Sequence, residues 1–64
     1  MFGEFLRNYR VKNNLTQKQM AEKCHATQAY YSQIETGRRK PGFRLIRELS
    51  TIMSVSEAFL RSLL

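Results

Sequence analysis

The chain of 64 residues carries eleven lysines and arginines against five glutamates, a formal charge of +6. A chain of this length makes one domain with one core and buries only about 60% of the surface its unfolded form exposes, while its basicity favours an acidic partner, nucleic acid first. With no aspartate, one histidine and one cysteine, it lacks the materials for a paired catalytic site, a disulfide or a cysteine-cluster metal site, so neither an enzyme nor a cofactor is expected.

An anionic membrane surface is the competing acidic partner, but no run approaches the roughly 18 apolar residues of a span and no amphipathic basic helix stands out. The start, Met1 to Glu4, lacks the basic and apolar regions of a signal peptide, so a cytoplasmic location is expected. Pro41 and the glycines mark turns within one domain, residues 1–64, and repeats and low-complexity segments are absent.

Phe2, Phe5, Leu6 and Tyr9 follow the i, i+3, i+4, i+7 pattern, which predicts a first helix over about residues 2–13, with Asn14 as its left-handed terminator. A second helix starts at Thr16, where Gln19 three residues on completes a capping box and Leu15 and Met20 form a hydrophobic staple. Cys24, His25 and Ala26 then leave room only for a sharp reversal. Cys24, between Met20 and Ala26, reads as a small core residue, with nucleophile or redox roles as the alternative. A third helix repeats the capping device, Thr27 as cap and Ala26 against Tyr31.

At about 100° per residue from Gln28, Tyr31, Ile34 and Thr27 fall on one side of that helix and Gln28, Ala29, Ser32, Gln33 and Thr36 on the other. The second face is small and uncharged, suited to lying closely on another surface and reading it by directional hydrogen bonds. Gly37 stops the helix. From Thr36 to Arg47 come Arg38, Arg39, Lys40, Arg44 and Arg47 with no acidic residue, either a solvated face or a set of phosphate contacts. Leu45, Ile46, Leu49, Ile52 and Met53 predict a fourth helix packed inward. Ser54, Val55 and Ser56 break it and cap a last helix from about Glu57, with Val55 and Leu60 as its staple. Phe59, Leu60, Leu63 and Leu64 exceed what one face of a small core needs, so they complete the core or form a dimer surface.

Leu15-Thr16-Gln17, Met20-Ala21, Ser32-Gln33-Ile34-Glu35-Thr36-Gly37 and Pro41 together resemble the helix-turn-helix of the Cro and phage-repressor family, the XRE-like regulators. The likeness continues through Leu6 and Arg10 upstream and Leu49, Val55 and Leu60 downstream. It implies an all-α, five-helix, lambda-repressor-like domain with the motif at about residues 16–36, acting as a sequence-specific transcriptional regulator, in the first instance a repressor, that binds double-stranded DNA as a homodimer on a pseudo-palindromic operator. On this reading Gln28, Ala29 and Gln33 reach base edges with Ser32 behind them. Gln17, Thr36, Arg38, Arg39, Lys40 and Arg44 hold phosphates, and Tyr30, at the flank, donates its hydroxyl to phosphate or simply packs.

The resemblance also pairs Arg10 with Glu35 as a structural ion pair and places a dimer interface at Phe59, Leu63 and Leu64. Asn14 and His25 stand where the family favours glycine; both residue types are enriched at positive φ, so the turns survive. A metal or catalytic role for His25 would need partners the chain lacks. Phe5, at a position commonly polar in the family, either widens the core or covers a partner. With the apolar C-terminus it leaves open a second function, a helix-turn-helix module that binds protein, such as an antitoxin or an inhibitor of another regulator.

Overall fold

In a computed structural model describing residues 1–64, the chain forms α1 (Phe2–Lys12), α2 (Gln17–Lys23), α3 (Gln28–Glu35), α4 (Phe43–Met53) and α5 (Glu57–Ser62), with no strand. The all-α, five-helix expectation is met. No helix is long and apolar enough to cross a membrane.

Three of the helix starts are set by hydroxyl caps. Thr16 Oγ1 accepts from the Gln19 amide at 3.1 Å and Gln19 Oε1 accepts from the Thr16 amide at 2.8 Å, the reciprocal box its sequence implies. Thr27 accepts from the Tyr30 amide at 3.1 Å and Ser56 from the Phe59 amide at 3.0 Å. The device at α3 is therefore only half repeated: Tyr30 stands where the glutamine would, and no side chain returns to the Thr27 amide.

The helix ends share one solution. Asn14, His25 and Ser54 take φ of 57°, 57° and 56°, and Gly37 takes 80°. At each, the following amide bonds back to a carbonyl in the last turn: Leu15 to Arg10 at 3.0 Å, Ala26 to Ala21 at 2.9 Å, Arg38 to Gln33 at 2.9 Å and Val55 to Ser50 at 3.2 Å. These bonds satisfy carbonyls that a helix end otherwise leaves open and turn the chain away from the helix. Ser54 is the unexpected member, since a left-handed serine costs about 1–2 kcal/mol; its neighbour Ser50 Oγ donates to the Val55 carbonyl at 2.5 Å and secures the turn.

The core gathers Phe2, Leu6, Met20, Ala21, Cys24, Tyr31, Ile34, Leu45, Ile46, Leu49, Met53 and Leu60. Cys24 is buried as expected, and burial, with Glu48 nearby, pushes its thiol up to about 11, so it stays a neutral apolar filler. Phe5 is half-buried and meets Phe59 edge-on, ring centroids 5.6 Å apart. It widens the core and is not free surface for a partner. Leu63 is half-buried and packs partly against the core, while Phe59 and Leu64 are 44% and 52% exposed.

The start of α1 lies directly against the end of α3. A Cβ on Gly3 would overlap the Glu35 backbone carbonyl, so the absence of a side chain is what lets the two backbones meet. Gly3→Ala is expected to push α1 off α3 and lower stability by about 1–3 kcal/mol, a fall of several degrees in thermal unfolding; an unchanged midpoint would contradict the close approach.

Candidate nucleic-acid interface

The Glu35 carboxylate, its side chain only 2% exposed, sits where α1, α2 and α3 meet. Arg10 from α1 donates through Nε to Oε2 at 2.6 Å and through Nη2 to Oε1 at 3.3 Å, and its Nη1 reaches the Leu15 carbonyl at 2.9 Å. Tyr31 of α3 donates its hydroxyl to Oε2 at 2.5 Å, and Gln17 of α2 donates to Oε1 at 3.2 Å. Burial alone would raise the Glu35 carboxyl, but the hydrogen bonds from Arg10, Tyr31 and Gln17 outweigh it and hold the group below its ordinary 4.5. Reciprocally, the hydrogen bond to Glu35 raises the Arg10 guanidinium, while burial and the bond to Glu35 push the Tyr31 phenol up. The expected Arg10 and Glu35 pair is thus the centre of a larger polar node. Tyr31 could have been found from its i, i+4 spacing to Glu35; nothing in the sequence points to Gln17.

This node locks the inner side of α3 and leaves its other side outward. Gln28, Ala29 and Gln33 are exposed with Ser32 half-buried between them, as a reading face requires. Thr36 is exposed, but its hydroxyl lies 3.1 Å and 3.2 Å from the Ser32 and Gln33 carbonyls; its proton is engaged in the helix. Gln17, expected at a phosphate, is half-buried and has an amide proton engaged by Glu35.

Arg38, Arg39, Lys40 and Arg44 are all exposed along the α3–α4 connection and the first turn of α4. The Arg39 guanidinium lies 5.6 Å from the centre of the Tyr30 ring, and the Tyr30 hydroxyl accepts from the Gly42 amide at 3.1 Å. Tyr30 therefore packs, and its hydroxyl proton stays available to an acceptor. An open cleft of about 250 Å³ between the motif's turn and α4 brings Arg44 beside Tyr30, His25 and Gly42. His25 Nδ1 stands 3.3 Å from a Glu48 oxygen of α4.

A second cation–aromatic pair was not expected: the Arg47 guanidinium lies 5.9 Å from the centre of Phe43, itself 70% exposed. Its i, i+4 spacing was the available signal. No three His, Cys, Asp or Glu side chains converge in a way that could hold a metal.

Two short helices joined by the four residues from Cys24 to the cap Thr27, the second presenting an uncharged face beside a basic loop, define a helix-turn-helix domain. The profile of the helix-turn-helix family matches residues 6–60, and the chain belongs to the Cro/XRE-like branch of that family. It is 37% identical over 60 residues to YqaE of Bacillus subtilis, described as an uncharacterized HTH-type transcriptional regulator, covering 94% of this chain and 52% of that protein. Two proteins so described from two strains of Mycobacterium tuberculosis are each 32% identical over 54 residues, 84% of this chain and 39% of theirs. The chain thus spans about half the length, or less, of the curated relatives it matches. No solved structure matches it.

The lowered Glu35 carboxyl sets a pH dependence. Its contribution to stability is present in full above the unfolded-state carboxyl value and disappears as pH falls through the lower folded-state value. Glu35→Gln is expected to remove this part of the acid limb and to cost about 1–3 kcal/mol at neutral pH, because the partly buried Arg10 guanidinium keeps its hydrogen-bond partner but not the opposite charge. Urea midpoints from about pH 2 to about pH 7 read both effects; an unchanged slope in the variant would contradict the node's role.

Proposed function

We propose that this chain is the DNA-reading domain of a cytoplasmic, sequence-specific transcriptional regulator, a repressor by occupancy, that binds a pseudo-palindromic operator as a homodimer. The observation that carries the reading is the exposed, uncharged face of α3 flanked by four exposed cations, Arg38, Arg39, Lys40 and Arg44. A glutamine amide offers one donor side and one acceptor side, matching the N6 amino group and N7 of adenine in the major groove. Gln28 and Gln33 stand on this face, Ala29 between them is short enough to let the helix approach, and its methyl suits a thymine methyl. The cations supply the sequence-independent hold on phosphates.

Dimerisation through the C-terminal helix draws support from Phe59 and Leu64, the large apolar side chains α5 and its end leave exposed. Two copies would place their reading helices about 34 Å apart, one turn of DNA.

Gln28→Ala or Gln33→Ala is expected to weaken binding to the best operator by roughly 1–3 kcal/mol for each half-site, with non-specific binding nearly intact and preference relaxed at one base position. Arg38→Ala or Lys40→Ala should instead weaken all sequences alike and make the salt slope shallower by about one unit for each phosphate no longer neutralised. Competition titrations against operators varied one base pair at a time, repeated across salt, check both. Equal weakening on operator and random DNA for the glutamine variants would contradict base reading.

A further inference from the structure

Tyr30 belongs to α3, at the border between its core side and its exposed face, yet its two polar engagements both lie beyond α3. The loop from Arg38 to Gly42 carries three of the chain's cations. Its near end is fastened to α3 by backbone, the Arg38 and Arg39 amides both reaching the Gln33 carbonyl at 2.9 Å and 3.2 Å. Its far end, where α4 begins, is fastened to α3 by one hydrogen bond, from the Gly42 amide to Tyr30 Oη at 3.1 Å. Gly42 is the cap residue of α4 and offers no side-chain cap of its own; Leu45 and Ile46 seat the inner side of the first turn of α4 in the core, and this bond fixes its exposed side, with Arg44, against α3. The same ring lies beneath the Arg39 guanidinium at 5.6 Å, which restricts an otherwise freely rotating cation.

We infer that Tyr30 is a positioning residue that holds the basic α3–α4 loop in register with the reading face of α3, so that phosphate contacts and base contacts are made in one rigid geometry. The inference rests on the proposed DNA-binding function for its consequence, but the positioning itself is a property of the free protein. Without the clamp the loop keeps its charge, and with it the sequence-independent attraction to phosphate. What disappears is the fixed relation between the cations and Gln28 and Gln33, so ordering must be supplied on binding. Specific affinity falls while non-specific affinity holds.

The test uses Tyr30→Phe, which keeps the ring and removes the hydroxyl, and Tyr30→Leu, which removes both. In the free protein, Tyr30→Phe should speed exchange of the Gly42 amide while amides of α1 and α2 keep their protection. On DNA it should weaken operator binding about three- to tenfold, the worth of one hydrogen bond, with random duplex and salt slope unchanged. In Tyr30→Leu the weakening on operator should be larger, and adding Arg39→Ala should cost less than it does in the wild type. Unchanged Gly42 exchange in Tyr30→Phe would overturn the clamp. Equal weakening on operator and random duplex, or an Arg39→Ala cost that is the same in both backgrounds, would overturn positioning and make the hydroxyl a plain phosphate donor. Failure of the wild type to prefer any duplex sequence would refute the DNA-reading function instead, and leave the exchange result standing as the measure of the clamp.

Discussion

A carboxylate taken almost wholly out of water is tolerated only when its lone pairs are filled, and the rest of this domain is arranged to fill those of Glu35. Its donors come from three helices: Arg10 from α1, Gln17 from α2 and Tyr31 from α3 itself. No other polar cluster joins so many elements here. For a chain of this length net stability is roughly 3–10 kcal/mol, so removing one partner from this node and leaving the others unmatched is large on that scale. It also fixes direction. With Glu35, Tyr31 and Ile34 held inward, helical periodicity turns Ala29 and Gln33 outward, and Gln28, on the border of the inner side, is exposed because it opens the first turn.

The consequence for function is a separation of duties along a short piece of chain. The last turn of α3 ends at Gly37 in a left-handed conformation, and the basic residues begin at the next position. The uncharged surface able to discriminate bases and the charged surface able to bind any nucleic acid are thus adjacent in sequence but chemically distinct. The core holds α3 and α4 together through Tyr31, Ile34, Leu45 and Ile46, while the exposed loop between them is held to α3 by few bonds: those from backbone amides to the Gln33 carbonyl on one side and that to Tyr30 on the other.

Much of this is legible in the residues because it is local. The caps at Thr16, Thr27 and Ser56, the left-handed turns at Asn14, His25 and Gly37, and the periodicity that puts Leu6, Ile34 and Leu49 inside all depend on neighbours within a few positions. What is not legible depends on partners far along the chain. Gly3 looks like an ordinary glycine in a first turn until α3 is brought against it. The bond from Gln17 to Glu35 is not legible because the two lie eighteen positions apart. Phe5 has two open readings in the sequence because its ring partner, Phe59, lies far along the chain. Tyr30 presents two open readings, and its bond to Gly42 across twelve positions decides that it packs while still leaving it a proton to donate. Ser54 reads as a helix breaker but not as a left-handed residue, since serine carries no strong preference for that region.

The claim that this face reads DNA sequence is tested most directly by selecting bound duplexes from a random DNA pool with the full chain. The account predicts enrichment of an inverted repeat whose half-sites are centred about 10 base pairs apart, with adenines among the preferred positions. Recovery of a pool no different from its starting composition, despite salt-sensitive retention of DNA, would contradict it and reduce the basic loop to a general polyanion surface.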